Sequence, residues 1–212
     1  MKKHSLKDRL ISAALAAAVS TLFLTSCGSV SASVTVPKAS SSVTYKQDFS
    51  FNKAQYSSDG KIEYYFPRAG QKAEPQLIKV INSAQKNLDV AIYSLTDNPT
   101  ASAIVAAHKK GVSVRVISDK QQSGEKYQES ILRSLTKSGI PVKVNTHTGL
   151  MHLKVTIADQ KTATTGSFNY TKSAETKNDE VFVVLHDEKV AKDFDTEFNR
   201  MWNDKSNFKN FR

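Results

Sequence analysis

The stretch His152–Asn169 concentrates side chains suited to phosphodiester chemistry. His152-Leu153-Lys154 is followed by Asp159 and then by Gly166-Ser167-Phe168-Asn169. An imidazole is a nucleophile toward phosphorus, and an ammonium is a fixed partner for phosphate charge. A hydroxyl and an amide are further phosphate hydrogen-bond donors. No carboxylate or cysteine cluster with ligand spacing accompanies them, so neither a metal nor a cofactor is expected. The pattern occurs once, and no internal repeat is visible.

Strand alternation decides which of these groups meet. If Leu153–Ala158 is a strand, His152, Lys154 and Thr156 share one face, and Leu153, Val155 and Ile157 share the other, buried face. The polar face is then expected to line a cleft. Ser167 and Asn169 repeat the two-residue spacing just after Gly166, where a glycine lets backbone approach a ligand closely. Thr162–Thr165 is the partner strand, across a turn at Asp159-Gln160-Lys161.

The elements upstream must position this pair. Lys61–Phe66 is a strand candidate that ends at Pro67. Residues 74–86 read as a helix with Leu77, Val80, Ile81 and Ala84 on one face. Leu88–Leu95 has the apolar run of a buried strand. Asp97 or Asn98 caps the next helix, with Pro99 at its first position, and Gly111 ends it. Val112–Ser118 is a strand, 125–138 a helix stopped by Gly139, and Val142–Asn145 a short strand. Downstream, Glu180–His186 is a strand and Val190–Trp202 a closing helix, with Val190, Phe194, Phe198 and Trp202 as its core stripe. The order β-α-β-α-β-α-β implies an α/β fold, a mixed and largely parallel sheet with helices on both faces.

The front end reads differently. Lys2, Lys3, Lys7 and Arg9 precede an apolar run from Leu10 to Leu24, the pattern of a secretory signal. Leu24-Thr25-Ser26-Cys27 resembles a bacterial lipobox, in which the cysteine is lipidated. Residues 1–26 are therefore expected to be a signal peptide. Residues 27–60 are read as the lipidated Cys27 and a flexible Ser/Val/Thr-rich tether, 61–204 as the catalytic domain and 205–212 as a C-terminal tail. An exported, membrane-anchored lipoprotein is the expectation. Removing residues 1–26 takes away four basic residues and Asp8, lowering the formal charge from +10 to +7. A basic surplus on a small domain points to a polyanionic partner, nucleic acid or an anionic lipid surface. Cys27 is the only cysteine, so no internal disulfide is available.

His-x-Lys-x4-Asp-x6-Gly-Ser-x-Asn is the residue pattern of the phospholipase D superfamily, and all six named positions are met. The segments Ala91–Thr96, Lys109–Val112, Gly166–Lys172 and Ala174–Asn178 resemble the small single-motif bacterial endonucleases of that superfamily. The resemblance covers about residues 62–202. It implies a phospholipase D-like α/β/α sandwich in which His152 attacks phosphorus and forms a phosphohistidine. Lys154 and Asn169 would hold the non-bridging oxygens, and Ser167 would support the phosphate or orient the nucleophile. Glu180 matches the family's downstream acid and would hydrogen-bond the far nitrogen of the imidazole. Asp159, at a strand end, is read as structural support, with direct proton transfer the alternative. The leaving oxygen needs a second histidine, which a single-motif chain must take from another copy, so a two-fold homodimer is expected.

His108, His147 and His186 lack a lysine partner and read as structural. Lys109, Lys110, Arg115, Lys172 and Lys177 are the cations expected to flank the cleft. Three functions compete: a non-specific nuclease, a phospholipase D acting on lipid head groups, and a binding module whose site has decayed.

Overall fold

The computed structural model describes residues 55–212 and the backbone of two strands nearer the N-terminus. Those two, β1 (Ala32–Val34) and β2 (Tyr45–Gln47), pair antiparallel within a separate unit. The signal segment, Cys27 and the rest of the tether up to residue 54 lie outside the described residues.

In the larger unit the elements run β3 (Gln55–Tyr56), β4 (Ile62–Tyr65), α1 (Glu74–Ser83), β5 (Asn87–Ile92), α2 (Asn98–Lys109) and β6 (Ser113–Ser118). Then come α3 (Lys126–Lys137), β7 (Val142–Asn145), β8 (Lys154–Ala158), β9 (Thr162–Gly166), α4 (Lys172–Thr176), β10 (Phe182–Leu185), α5 (Glu188–Asn203) and β11 (Phe208–Asn210). The strands form one sheet in the order β11-β7-β6-β5-β8-β9-β10-β4-β3.

The fold is α/β with a mixed sheet covered on both faces, as the element order implied. Its parallel share is smaller than expected. Among the sheet's neighbouring strands only β5–β6 and β6–β7 pair in parallel, each joined by a crossover through a twelve-residue helix, α2 or α3. The other neighbours, including β5–β8 and β8–β9, are antiparallel. Two ends read as linker and tail also belong to the sheet: β3 pairs with β4, and β11 pairs with β7 and buries Phe208. Strands of two or three residues leave no periodicity to read.

One core lies under α1, α2 and α3, built from Leu77, Ile81, Ile104, Leu132, Leu88, Val90 and Val116 among others. A smaller one lies under α5 and contains Ala91, Ile117, Val155, Ile157, Phe198 and Met201. Strand β5 therefore buries both faces, which explains its unbroken apolar run. On α5 the buried positions are Ala191, Asp195, Phe198 and Met201; of the expected stripe, Phe194 and Trp202 are only partly buried.

Helix termini are set by specific side chains. Asp97 caps α2 by accepting from Thr100 N at 2.8 Å and Thr100 Oγ1 at 2.7 Å, a cap typically contributing about 1 kcal/mol. The buried Glu175, about a hundred residues downstream, caps α1 by accepting from the backbone of Ala73 and Glu74. α1 stops at Ser83, three residues earlier than its pattern suggested. The next amides, Gln85, Lys86 and Asn87, all donate to Asp159 at 2.7–2.9 Å.

Candidate active site

The C-terminal ends of β5, β6 and β7 and the starts of β8 and β10 meet at one edge of the sheet. That is the edge at which open α/β sheets place ligands. After β7 the chain crosses this edge past β6 and β5 and enters β8, and residues 146–153 of that crossing carry His152. Two buried side chains fix the crossing. Asp119 Oδ2 accepts from Met151 N at 2.9 Å, while its Oδ1 accepts from Gln121 N and Gln122 N. Asn145 donates to Gly149 O at 3.1 Å and accepts from Lys120 N at 2.8 Å. Gln128, fully buried on α3, binds Leu95 N, Tyr93 O and Ser118 Oγ, and so ties the helix to the same edge.

His152 is exposed and Lys154 is 6 % exposed. Lys154 Nζ lies 3.3 Å from His152 Nδ1, 3.2 Å from its Nε2 and 2.9 Å from its carbonyl oxygen. It also stands 4.9 Å over the Tyr93 ring, which packs against the imidazole at 4.5 Å. No carboxylate forms an ion pair with Lys154 among the described residues. Burial pushes the ammonium below its ordinary pKa, and the charge of Glu180 partly offsets that effect. The result is a cation held beside a nucleophile with its charge free for an anion.

Ser167 and Asn169 come to the same edge from the end of β9. Ser167 Oγ donates to Glu180 and accepts from Val181 N at 3.1 Å. Asn178 Nδ2 donates to the other Glu180 oxygen at 3.1 Å. Asn169 Oδ1 is buried without a hydrogen-bond partner among the described residues.

Several expectations are corrected. Glu180 does not hydrogen-bond His152; its carboxylate is taken by Ser167 and Asn178, while both ring nitrogens face Lys154. Asp159 sits at the opposite end of β8, roughly 16 Å along the strand from Lys154 at about 3.3 Å per residue. Its three backbone donors hold β5 to the β8–β9 turn, so a role in proton transfer at the phosphate is excluded by position. The face shared by Lys154 and Thr156 is not an open wall: Thr156 is fully buried and bonded to Tyr170 Oη at 2.7 Å, and burial raises that phenol to about 12. Leu153, assigned to a buried face, is 39 % exposed because it precedes the strand. Gly166 brings backbone against its own neighbour rather than a ligand. A Cβ there would lie 2.1 Å from Val181 O.

Of the cations expected around the cleft, Lys172 and Lys177 lie in the β9–β10 connection at this edge. Lys109 and Lys110 end α2 at the far edge, and Arg115 is bound bidentately to Asp89 at 2.7 Å on the α5 face. His186 pairs with Glu63 at 2.7 Å, and His147 meets Thr148 O at 2.9 Å. His108 Nδ1 is buried without a partner. Tyr93, Asp119 and Asn145 were missed as site residues. Their signal was positional, since each follows or ends an apolar strand at this edge.

The family described as cardiolipin synthase, PLD-like domain matches residues 77–202. The chain is therefore a member of the phospholipase D superfamily, the class that the motif implies. It is 32 % identical over 127 residues to the mitochondrial cardiolipin hydrolase of Chlamydomonas reinhardtii, covering 60 % of this chain and 56 % of that protein. It is 31 % identical over 118 residues to a phospholipase D of Rickettsia prowazekii (strain Madrid E), covering 56 % and 57 %. The chain thus spans little more than half the length of these relatives. Among solved structures it resembles the phospholipase D family member Nuc from Salmonella typhimurium, with a TM-score of 0.66 and 32 % identity over 71 % of this chain and 97 % of that one. NucT from Helicobacter pylori gives 0.61 and 26 %, over 67 % and 95 %.

Proposed function

We propose that this protein is a phosphodiesterase that cleaves nucleic acid without sequence preference, working as a homodimer held at a membrane through Cys27. His152 attacks phosphorus, and the bond to the leaving oxygen breaks as that oxygen takes a proton from His152 of the second copy. Water then gives a proton back to His152 of the second copy as its oxygen attacks phosphorus, and the P–N bond breaks to regenerate the imidazole. Lys154 stabilises charge on the non-bridging oxygens, joined by Asn169, while Ser167 is oriented by Glu180.

The observation that carries this reading is the buried Lys154 ammonium beside His152 with no carboxylate partner. The basic charge and the likeness of residues 166–178 to single-motif endonucleases favour nucleic acid. The test is degradation of plasmid and single-stranded DNA in EDTA, with His152→Ala alongside. Wild type should cut in chelator, the variant should lose roughly 10⁴-fold, and an alkaline denaturing quench, under which a P–N bond survives, should trap substrate label on His152. Activity that needs an added divalent metal would overturn the mechanism. Sedimentation should give a dimer, and specific activity should fall on dilution to the monomer.

A phospholipase reading has one structural argument. An apolar cavity of about 300 Å³ lies between α5 and β5/β8, lined by Ala91, Leu153, Val155, Phe194, Phe198 and Met201. Leu153 directly follows His152, so an acyl chain there would lie near the nucleophile. The cavity is on the opposite face of β8 from Lys154, which ranks this reading second. Head-group release from phospholipid vesicles, with DNA left intact, would reverse the ranking.

A further inference from the structure

The turn that follows β4 faces the β9–β10 connection across a cavity of about 500 Å³. Its walls include Phe66, Arg68, Ser167, Asp179, Glu180 and Val181. Ser167 and Glu180 belong to the site described above, so the cavity opens directly from it. The far wall is built for contact. Phe66 is 38 % exposed, with its ring braced edge-on by Tyr64 at 5.9 Å and 74°. Two residues on, Arg68 is exposed and makes no hydrogen bond or ion pair to any described residue. The turn holding both is stiff: Pro67 opens it, Gly70 closes it at φ 88°, and Gln71 Oε1 accepts from Phe66 N.

The charges in the cavity are separated. Glu180 is engaged by Ser167 and Asn178, and Asp179 is exposed on the same side. Arg68 and Phe66 line the other wall, two residues apart on the turn after β4. An anion is therefore favoured only near Arg68, and a flat apolar group only over Phe66 and Val181. A phosphate one unit from a planar base has this layout, and a guanidinium beside an aromatic face is the pairing that holds single strands.

Resting on the nucleic-acid reading, we propose that this cavity is a subsite for a nucleotide flanking the scissile phosphate, three strands along the sheet edge from Lys154. Its base stacks on Phe66 and its phosphate pairs with Arg68. A base inside a duplex offers no free face, so the preferred substrate is single-stranded.

The test compares wild type, Phe66→Ala, Phe66→Trp and Arg68→Ala. The substrates are a short single-stranded oligonucleotide, its duplex, methyl p-nitrophenyl phosphate and phospholipid vesicles. Phe66→Ala should raise KM for the single strand about 10-fold or more, the size of one lost stack, and Phe66→Trp should restore it. Arg68→Ala should raise KM and flatten its salt dependence. Turnover of methyl p-nitrophenyl phosphate should not change in any variant. Unchanged KM in both alanine variants, equal losses on the minimal substrate, or equal cutting of duplex and single strand would overturn the subsite alone. Loss confined to vesicle hydrolysis would overturn it in favour of a lipid head group. A wild type that hydrolyses methyl p-nitrophenyl phosphate but no nucleic acid would overturn the parent reading and the subsite together.

Discussion

Lys154 Nζ stands within 3.3 Å of both ring nitrogens of His152 and 2.9 Å from the carbonyl oxygen of the same residue. The cation is thus anchored to the backbone of His152, and no carboxylate among the described residues forms an ion pair with it. A phosphate entering here meets the attacking nitrogen and the compensating charge together.

Holding that charge costs stability. Burial lowers the pKa of Lys154 from its ordinary 10.5. The cost is full below the folded pKa and fades as pH rises from there to 10.5. Lys154→Met should abolish phosphodiester cleavage while raising Tm by a few degrees at neutral pH, about 1 kcal/mol. The gain should shrink in alkali. A Tm scan across pH beside an activity assay reads both, and a lower Tm at neutral pH would contradict the claim.

Asp159 should behave in the opposite way. Burial would raise its pKa, but the amides of Asn87, Gln85 and Lys86 outweigh it and hold the carboxyl below 3.8. Its stabilisation is present above 3.8 and is lost as pH falls through the lowered folded value. Asp159→Asn keeps the positive-φ turn (φ 54°) but loses the charge. Denaturant melts at pH 7 should show a loss of about 1–2 kcal/mol. The deficit should close in acid, and kcat of the folded enzyme should be unaltered. A large fall in kcat would return Asp159 to the chemistry.

Gly166 tolerates no side chain. Its φ is +131°, and a Cβ would meet Val181 O at 2.1 Å. Gly166→Ala should cost about 3 kcal/mol or more, or prevent soluble folding, because β9 and β10 must separate. A Tm within a degree or two of wild type would show that the strands yield more easily than this geometry allows.

On the α5 face, burial raises the pKa of Asp89 despite its bidentate partner Arg115. Arg115→Met removes the counter-charge and strands the carboxylate. The expected loss is about 3 kcal/mol at pH 7. It should diminish as pH falls toward 3.8, where Asp89 protonates in both states. Urea melts at neutral and acidic pH decide the matter, and a pH-independent loss would point to the packing of the guanidinium over Phe198 and Trp202 instead.

Much of this architecture is visible in the order of residues. The cap at Asp97 or Asn98, the 3.6-residue stripe of α1, the stop of α3 at Gly139, the apolar run of β5 and the turn at Asp159-Gln160 are local, so pattern reads them directly. The two-residue spacing of His152 with Lys154 and of Ser167 with Asn169 likewise marks groups that the fold brings to one edge of the sheet. Sequence did not reveal that Asp159 reaches back to residues 85–87, that Glu175 caps a helix a hundred positions upstream, or that Phe208 closes the sheet.

Spacing along the chain thus determined by itself which chemical groups are present and which neighbours share a strand. Tertiary structure alone decided their distribution. It put Asp159 at the opposite end of β8 from Lys154, turned Glu180 toward Ser167, sent Lys109 and Lys110 to the far edge, and brought Tyr93 and Asp119 to the edge that carries His152. The physical reason is that those outcomes depend on hydrogen bonds and strand pairings between segments remote in sequence, and no local periodicity encodes a partner that only folding brings near.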